Sequence, residues 1–177
     1  VEDGEFECEL DEKEPSGIYR AYYQIENNLY VEFIYNKEDI QFSFNPNNPD
    51  TSISFSESDE NNAYHDYYEA IKFKQQRLDS IQVLYFKSTD KKTDETLEKT
   101  YKMYLAALSD EQHRFEKDSE GLLANHFIRA SSQYNESSPH KEPEAYLETI
   151  KEHFFDAMDL SDSILNHSTF VNDRLND

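Results

Sequence analysis

Six histidines (His65, His113, His126, His140, His153 and His167) and a single cysteine, Cys8, are the side chains that metal or nucleophilic chemistry would use first. Their spacing does not build a recognised constellation: no H-x-x-x-H or H-E-x-x-H occurs. Asp110-x-x-His113 and His153-x-x-Asp156 place a carboxylate beside an imidazole at helical spacing, which suits half of a metal site or a local ion pair. In a chain with 38 acids such pairs arise by chance, and the ion pair is the expected reading. Asp50, Glu69, Asp90 and Lys92 can be drawn as a nuclease-like set of carboxylates plus a lysine. Asp90, however, falls in a polar turn after the apolar run it would have to sit on.

Cys8 lies between Glu7 and Glu9, and two carboxylates oppose the electropositive setting that a nucleophilic thiolate needs. No serine occupies a G-x-S-x-G turn. Only three glycines are present (Gly4, Gly17 and Gly121), so no glycine-rich phosphate loop can form. The absence of Trp gives no support for a sugar-stacking platform. No catalytic residue, metal ligand or cofactor is assigned, and the chain is read as non-enzymatic. A metal-dependent hydrolase with a scattered carboxylate/His site stays as an alternative.

The charge is more informative. Seventeen Lys and Arg against 38 Asp and Glu give a formal net charge of −21, which repels phosphates and argues against direct nucleic-acid binding. Its distribution is uneven. Residues 1–16 hold eight acids and one base, as do residues 36–69, whereas residues 70–104 hold eight bases and five acids. Acidic surfaces are therefore expected to flank one mildly basic patch. Two readings compete, and the first is that solubility and protection of sheet edges account for the whole of this acidity. The sharper reading is an anionic surface that engages a basic partner, with fast and salt-sensitive association.

The elements that would present this surface follow from hydrophobic periodicity. A mean hydropathy of −0.95 with high net charge is the signature of disorder, but 13 Tyr and 12 Phe at periodic positions supply enough buriable area for a core. Residues 5–10 (EFECEL) alternate strictly, with Phe6, Cys8 and Leu10 on the core side and Glu5, Glu7 and Glu9 outward. Ile18–Ile25 and Leu29–Tyr35 read as strands joined through Asn27-Asn28. Ile40–Phe44 and Thr51–Phe55 extend an antiparallel meander. From residue 57 the period becomes helical. Ser56-x-x-Asp59 resembles a capping box and precedes a stripe of Tyr64, Tyr68, Ile71 and Leu78. Ile81–Phe86 (IQVLYF) is expected to be one further, buried strand. Leu97, Tyr101, Tyr104, Leu105 and Leu108 mark the next helix, with a restart at Ser109-x-x-Gln112. Gly121 interrupts the pattern before Leu123, Phe127 and Ala130. Residues 131–143 read as a polar linker, followed by a helix carrying Leu147, Ile150, Phe154 and Met158.

Strands first and helices afterwards predict an α+β fold. A single compact domain over 1–177 is expected, with 1–16 as an acidic segment or edge strand. No apolar run approaches the roughly 20 residues of a membrane span. The chain opens at Val1, so trimming is expected; no apolar leader stands among the residues given, and a lone thiol fits a cytoplasmic setting.

The sequence thus predicts a protein-binding module, most concretely a stoichiometric inhibitor or immunity-type protein. It would block a basic nucleic-acid-handling protein, such as a nuclease, by presenting a nucleic-acid-like surface. Glu5, Glu7, Glu9, Asp11 and Glu12 would form one anionic face, and Glu57, Asp59, Glu60 and Asp66 another. Tyr64 and Tyr67 would be aromatic anchors. A structural or assembly adaptor is the other alternative, and oligomeric state is open.

Overall fold

The computed structural model describes residues 4–176. In chain order, the first elements are β1 (Gly17–Gln24), β2 (Leu29–Tyr35), β3 (Phe42–Ser43), α1 (Pro49–Ser52) and β4 (Ser54–Phe55). There follow α2 (Asp59–Lys87), α3 (Lys91–Asp118), α4 (Ala124–Ala130), α5 (Pro143–Glu152), α6 (Ser163–Asn166) and α7 (Phe170–Asn176). The class is α+β, with an N-terminal antiparallel hairpin ahead of a mostly helical chain. The chain divides into two compact units. One takes the residues up to Glu57 together with those from Ser163 onward, and the other runs from Ser58 to Asp162.

In the first unit, β1 and β2 pair antiparallel with Gly17 opposite Tyr35 and Ala21 opposite Val31, and the register slips between Tyr22 and Gln24. The turn is a 3-10 stretch, Ile25–Asn27, closed by Asn28 at φ 55°, a left-handed conformation that Asn tolerates better than most residues. Aromatic rings fill one side. Tyr19 stacks near Phe33 (6.1 Å), Phe33 near Phe42 (5.8 Å) and Phe42 near its strand partner Phe55 (5.6 Å). The other side meets the C-terminal helices: Arg20 lies 4.3 Å from the Tyr30 ring centroid and ion-pairs with Glu32 and with Asp173 of α7. Gly17 passes close to Ser168, and a Cβ there would come within 3.4 Å of the Ser168 Cβ.

Three expectations about strands are corrected. The meander is two separate two-stranded sheets, β1–β2 and β3–β4, and the latter holds only two residues per strand because Pro49–Ser52 turns helical. Residues 5–10 form no strand. Phe6 is 79% exposed and Cys8 is exposed, since alternation makes a strand only where another edge accepts its hydrogen bonds. Ile81–Phe86 is helical, the last two turns of α2.

That helix explains itself through packing. Leu78, Ile81, Gln82 and Tyr85 recur at three- and four-residue spacing on the buried stripe of α2, whereas Val83 and Leu84 point outward. α2 and α3, joined only by residues 88–90, form a helical hairpin about 43 Å long by the helical rise. Its core is Leu78, Ile81, Tyr101 and Leu108, flanked by Ile71, Leu97, Tyr104 and Leu105. Ser58 and Asp90 cap the two N-termini, their side chains accepting from the Asn61 and Thr93 N–H groups. The cap is thus Ser58 instead of Ser56, and α3 runs unbroken through Ser109. Gly121, at φ +90°, turns the chain from α3 toward α4. α4 closes the open end of the hairpin with Phe127 and Ile128, both fully buried.

Candidate interaction site

Of the residues expected to meet a partner, Glu5, Glu7, Glu9, Asp11 and Glu12 lie in the first unit, all exposed, in a stretch without regular secondary structure. None of them ion-pairs with a cation among the described residues. The stretch is tethered at its far end. Lys37, itself at φ 77°, donates from Nζ to the backbone oxygens of Glu12 (2.9 Å) and Glu14, and Tyr19 donates to the Pro15 oxygen at 2.6 Å. The lysine charge is thus directed at main-chain carbonyls; Asp11 accepts the Lys13 N–H at 2.9 Å, and no described cation pairs with the five carboxylates. Glu57 is also exposed in this unit, just after β4.

The rest of the set lies on α2 in the second unit. Asp59 and Asp66, two turns apart, are exposed. Glu60 is not: it is 6% exposed, and its carboxylate accepts from the Leu123 N–H (3.0 Å) and the Ala124 N–H (2.6 Å), satisfying backbone donors where α4 begins. Tyr67 is 2% exposed and donates to Gln112 Oε1 at 3.0 Å. Half-buried Tyr64 stacks on Tyr67 (6.2 Å) and meets Phe127 edge-on (6.1 Å). In this structure Glu60 and both tyrosines belong to the packing of the hairpin end.

The chemical pairs resolve as local contacts. His153 Nδ1 lies 2.6 Å from Asp156 and its ring stacks on Tyr134 at 4.1 Å, whereas His113 faces Ser109 (3.4 Å). Asp90 is a helix cap, its carboxyl held below the usual range by hydrogen bonds from the Thr93 hydroxyl and N–H. Among the described residues no group of three His, Cys, Asp or Glu could hold a metal ion. No described helix is long and apolar enough to cross a membrane.

The stretch expected as a linker, 131–143, joins α4 to α5 and is clamped along the hairpin. Gln82 exchanges two hydrogen bonds with the His140 backbone, at 2.8 and 3.0 Å. Gln75 and Asn135 pair their amides at 2.9 and 3.2 Å. Lys141 closes the end of α2, donating from Nζ to the oxygens of Tyr85 (2.9 Å) and Ser88 (2.8 Å) and to Asp94 (2.6 Å). Tyr85 donates to Glu98 at 2.8 Å, and that bond, with burial, pushes its phenol up to about 12.

Beneath this strap the second unit holds a cavity of about 240 Å³. Its apolar side is Ile71, Leu105 and Leu108; its polar side includes Ser109, His113, Glu116 and Gln133. Gln112, buried, donates to Glu116 Oε1 (2.8 Å) and to the Ile128 oxygen (3.1 Å), which fixes the Glu116 carboxylate. Periodicity alone did not disclose this cavity. The available signal was a glutamine, Gln112, in register with Leu108 and Phe115 on an otherwise apolar stripe. Comparison with protein-family models finds no matching family, and comparisons with curated proteins and with solved structures find no match.

Proposed function

We propose that this chain is a non-enzymatic, cytoplasmic binding module that engages a basic protein through exposed acidic side chains. Its most concrete form is a stoichiometric inhibitor or immunity-type protein for a nucleic-acid-handling target. The observation that supports it is the run Glu5, Glu7, Glu9, Asp11 and Glu12, exposed throughout and without a cation partner among the described residues. When such a run is extended, alternate carboxylates recur every ~6.6 Å, the order of the phosphate spacing along an extended nucleic-acid strand. It can therefore occupy a basic channel that otherwise tracks a phosphate backbone. Asp59 and Asp66 on α2, with Glu57, add further exposed negative charge.

The test is capture of basic proteins at low salt, followed by titration of each purified candidate. The expected outcome is loss of the target's nucleic-acid activity, complete at a fixed small stoichiometry. Replacing Glu5, Glu7 and Glu9 together by Lys is expected to weaken binding by about 100-fold or more, of the order that close charge pairs contribute at interfaces. An unchanged affinity in that triple variant removes this face from the function.

The adaptor reading draws on a different feature, the outward side of α2, where Phe73 (59% exposed), Val83 and Leu84 are open to solvent. Association through that side would depend little on salt, which separates the two readings.

A further inference from the structure

Glu116 is a half-buried carboxylate set against an apolar cavity wall, and among the described residues no cation pairs with it. Gln112 occupies one of its oxygens and holds the group in place. A carboxylate held in place and without a cation partner presents a fixed negative charge, and a cation placed beside it is favoured by charge complementarity. No Lys or Arg lines the cavity; its polar lining residues include Ser109, Gln133 and Glu116, with His113, whose Nδ1 faces the Ser109 hydroxyl at 3.4 Å. The apolar lining, Ile71 of α2 with Leu105 and Leu108 earlier on α3 than Glu116, suits a hydrocarbon stem. Pockets for drug-sized ligands run from roughly 300 Å³ upward, so one of this size fits a ligand comparable to a single side chain.

We infer that this cavity is a receptor for an alkyl-guanidinium group, with the stem along Ile71, Leu105 and Leu108 and the guanidinium on Glu116. A guanidinium is favoured over an ammonium for two reasons. Its planar fork can pair with a carboxylate and neighbouring oxygens at once, and it is more weakly hydrated, so it lies against an apolar wall at lower cost. The source we favour is an arginine of the basic partner. That choice of source rests on the proposed function; the guanidinium chemistry of the cavity does not.

The test uses the intact chain and small probes, without any partner. Capped arginine (Nα-acetyl-arginine-methylamide), the matching capped citrulline and agmatine are titrated while backbone amide resonances around Ser109–Glu116 and Gln133–Asn135 are followed by NMR. Capped arginine is expected to shift those resonances and to saturate with Kd on the order of 1 mM. Citrulline, isosteric but neutral, is expected to bind at least about tenfold more weakly. Glu116→Gln keeps the oxygen that Gln112 uses and is expected to abolish the difference between the two probes. Citrulline as strong as arginine, or no shift with any guanidinium, overturns the inference, and this comparison needs no variant to fold. Agmatine binding more than tenfold tighter than capped arginine would keep the site but assign it to a free small molecule. Failure here leaves the acidic segment to its own charge-reversal test, so the two fall separately.

Discussion

Glu60 shows how one side chain can leave the surface that its charge suggests. A buried carboxylate is tolerated there because two backbone donors at the start of α4 point at it, and hydrogen bonds to an ionised acceptor are about twice as strong as neutral ones. Glu60→Ala is expected to destabilise the chain by about 2–3 kcal/mol, by leaving two donors unmet. Asp66→Ala, on the exposed side of the same helix, is expected to change stability by less than about 0.5 kcal/mol. Urea denaturation of both variants checks this contrast. The role of Glu60 was not legible in the sequence, because its partners lie 63 and 64 residues away and no local pattern links them. Lys141 offers a pH-dependent counterpart. Its hydrogen bond is the main cause holding the Asp94 carboxyl below its usual range. Because the folded value is depressed, this contribution is present at neutral pH and is lost as the pH falls from about 4, the ordinary carboxylate value, through the lower folded one. Melting temperatures followed from pH 6 down to pH 2.5 are expected to show a shallower acid loss in Lys141→Met than in the parent, from a lower starting point. Parallel curves would contradict this assignment.

At the scale of elements, the last two turns of α2 test the packing account. The run IQVLYF has the β-branched and aromatic content of a strand, and a short apolar run does not distinguish helix from strand by periodicity. Here the arbiter is tertiary. Ile81 and Tyr85 extend the stripe begun by Leu78, and Gln82 binds the His140 backbone, while Val83 and Leu84 face outward. Val83→Ala is therefore expected to be neutral or stabilising by up to about 0.5 kcal/mol, since Ala is the better helix former at an exposed position. Val83→Pro is expected to cost about 3 kcal/mol or more. Far-ultraviolet circular dichroism with denaturant titration distinguishes this from a strand, in which Val83→Ala would be the unfavourable change. The long helix of α3 and the β1–β2 hairpin were legible because their signals are local: a sustained apolar stripe in one, and two β-rich runs around Asn27-Asn28 in the other. The EFECEL alternation was equally clear. It produced no strand, because pairing needs an edge elsewhere in the chain, and alternation does not specify one.

Over the whole molecule, the charge of −21 includes acids that hold parts of the fold and acids that face solvent without a cation. Glu60, Asp90 and Asp94 hold backbone or lysine donors; Glu5, Glu7, Glu9, Asp11 and Glu12 hold no cation among the described residues. The second group is the basis of the proposed function; its exposure was legible in the sequence because a dense run of acids is a compositional signal, whereas the strand expected to carry it was not formed. The cavity beside Glu116 was hidden because it is assembled from two helices and a strap. The measurement that tests the central claim most directly is the association rate with the captured basic target as a function of ionic strength, for the parent chain and for the Glu5, Glu7 and Glu9 to Lys variant. Screening shortens the reach of charge from about 30 Å at 0.01 M salt to about 8 Å at 0.15 M. The parent rate is expected to fall by about 10-fold or more over that range, and the variant to associate slowly with little salt dependence. Equal rates and equal slopes for the two proteins would contradict the claim that this acidic segment is the binding surface.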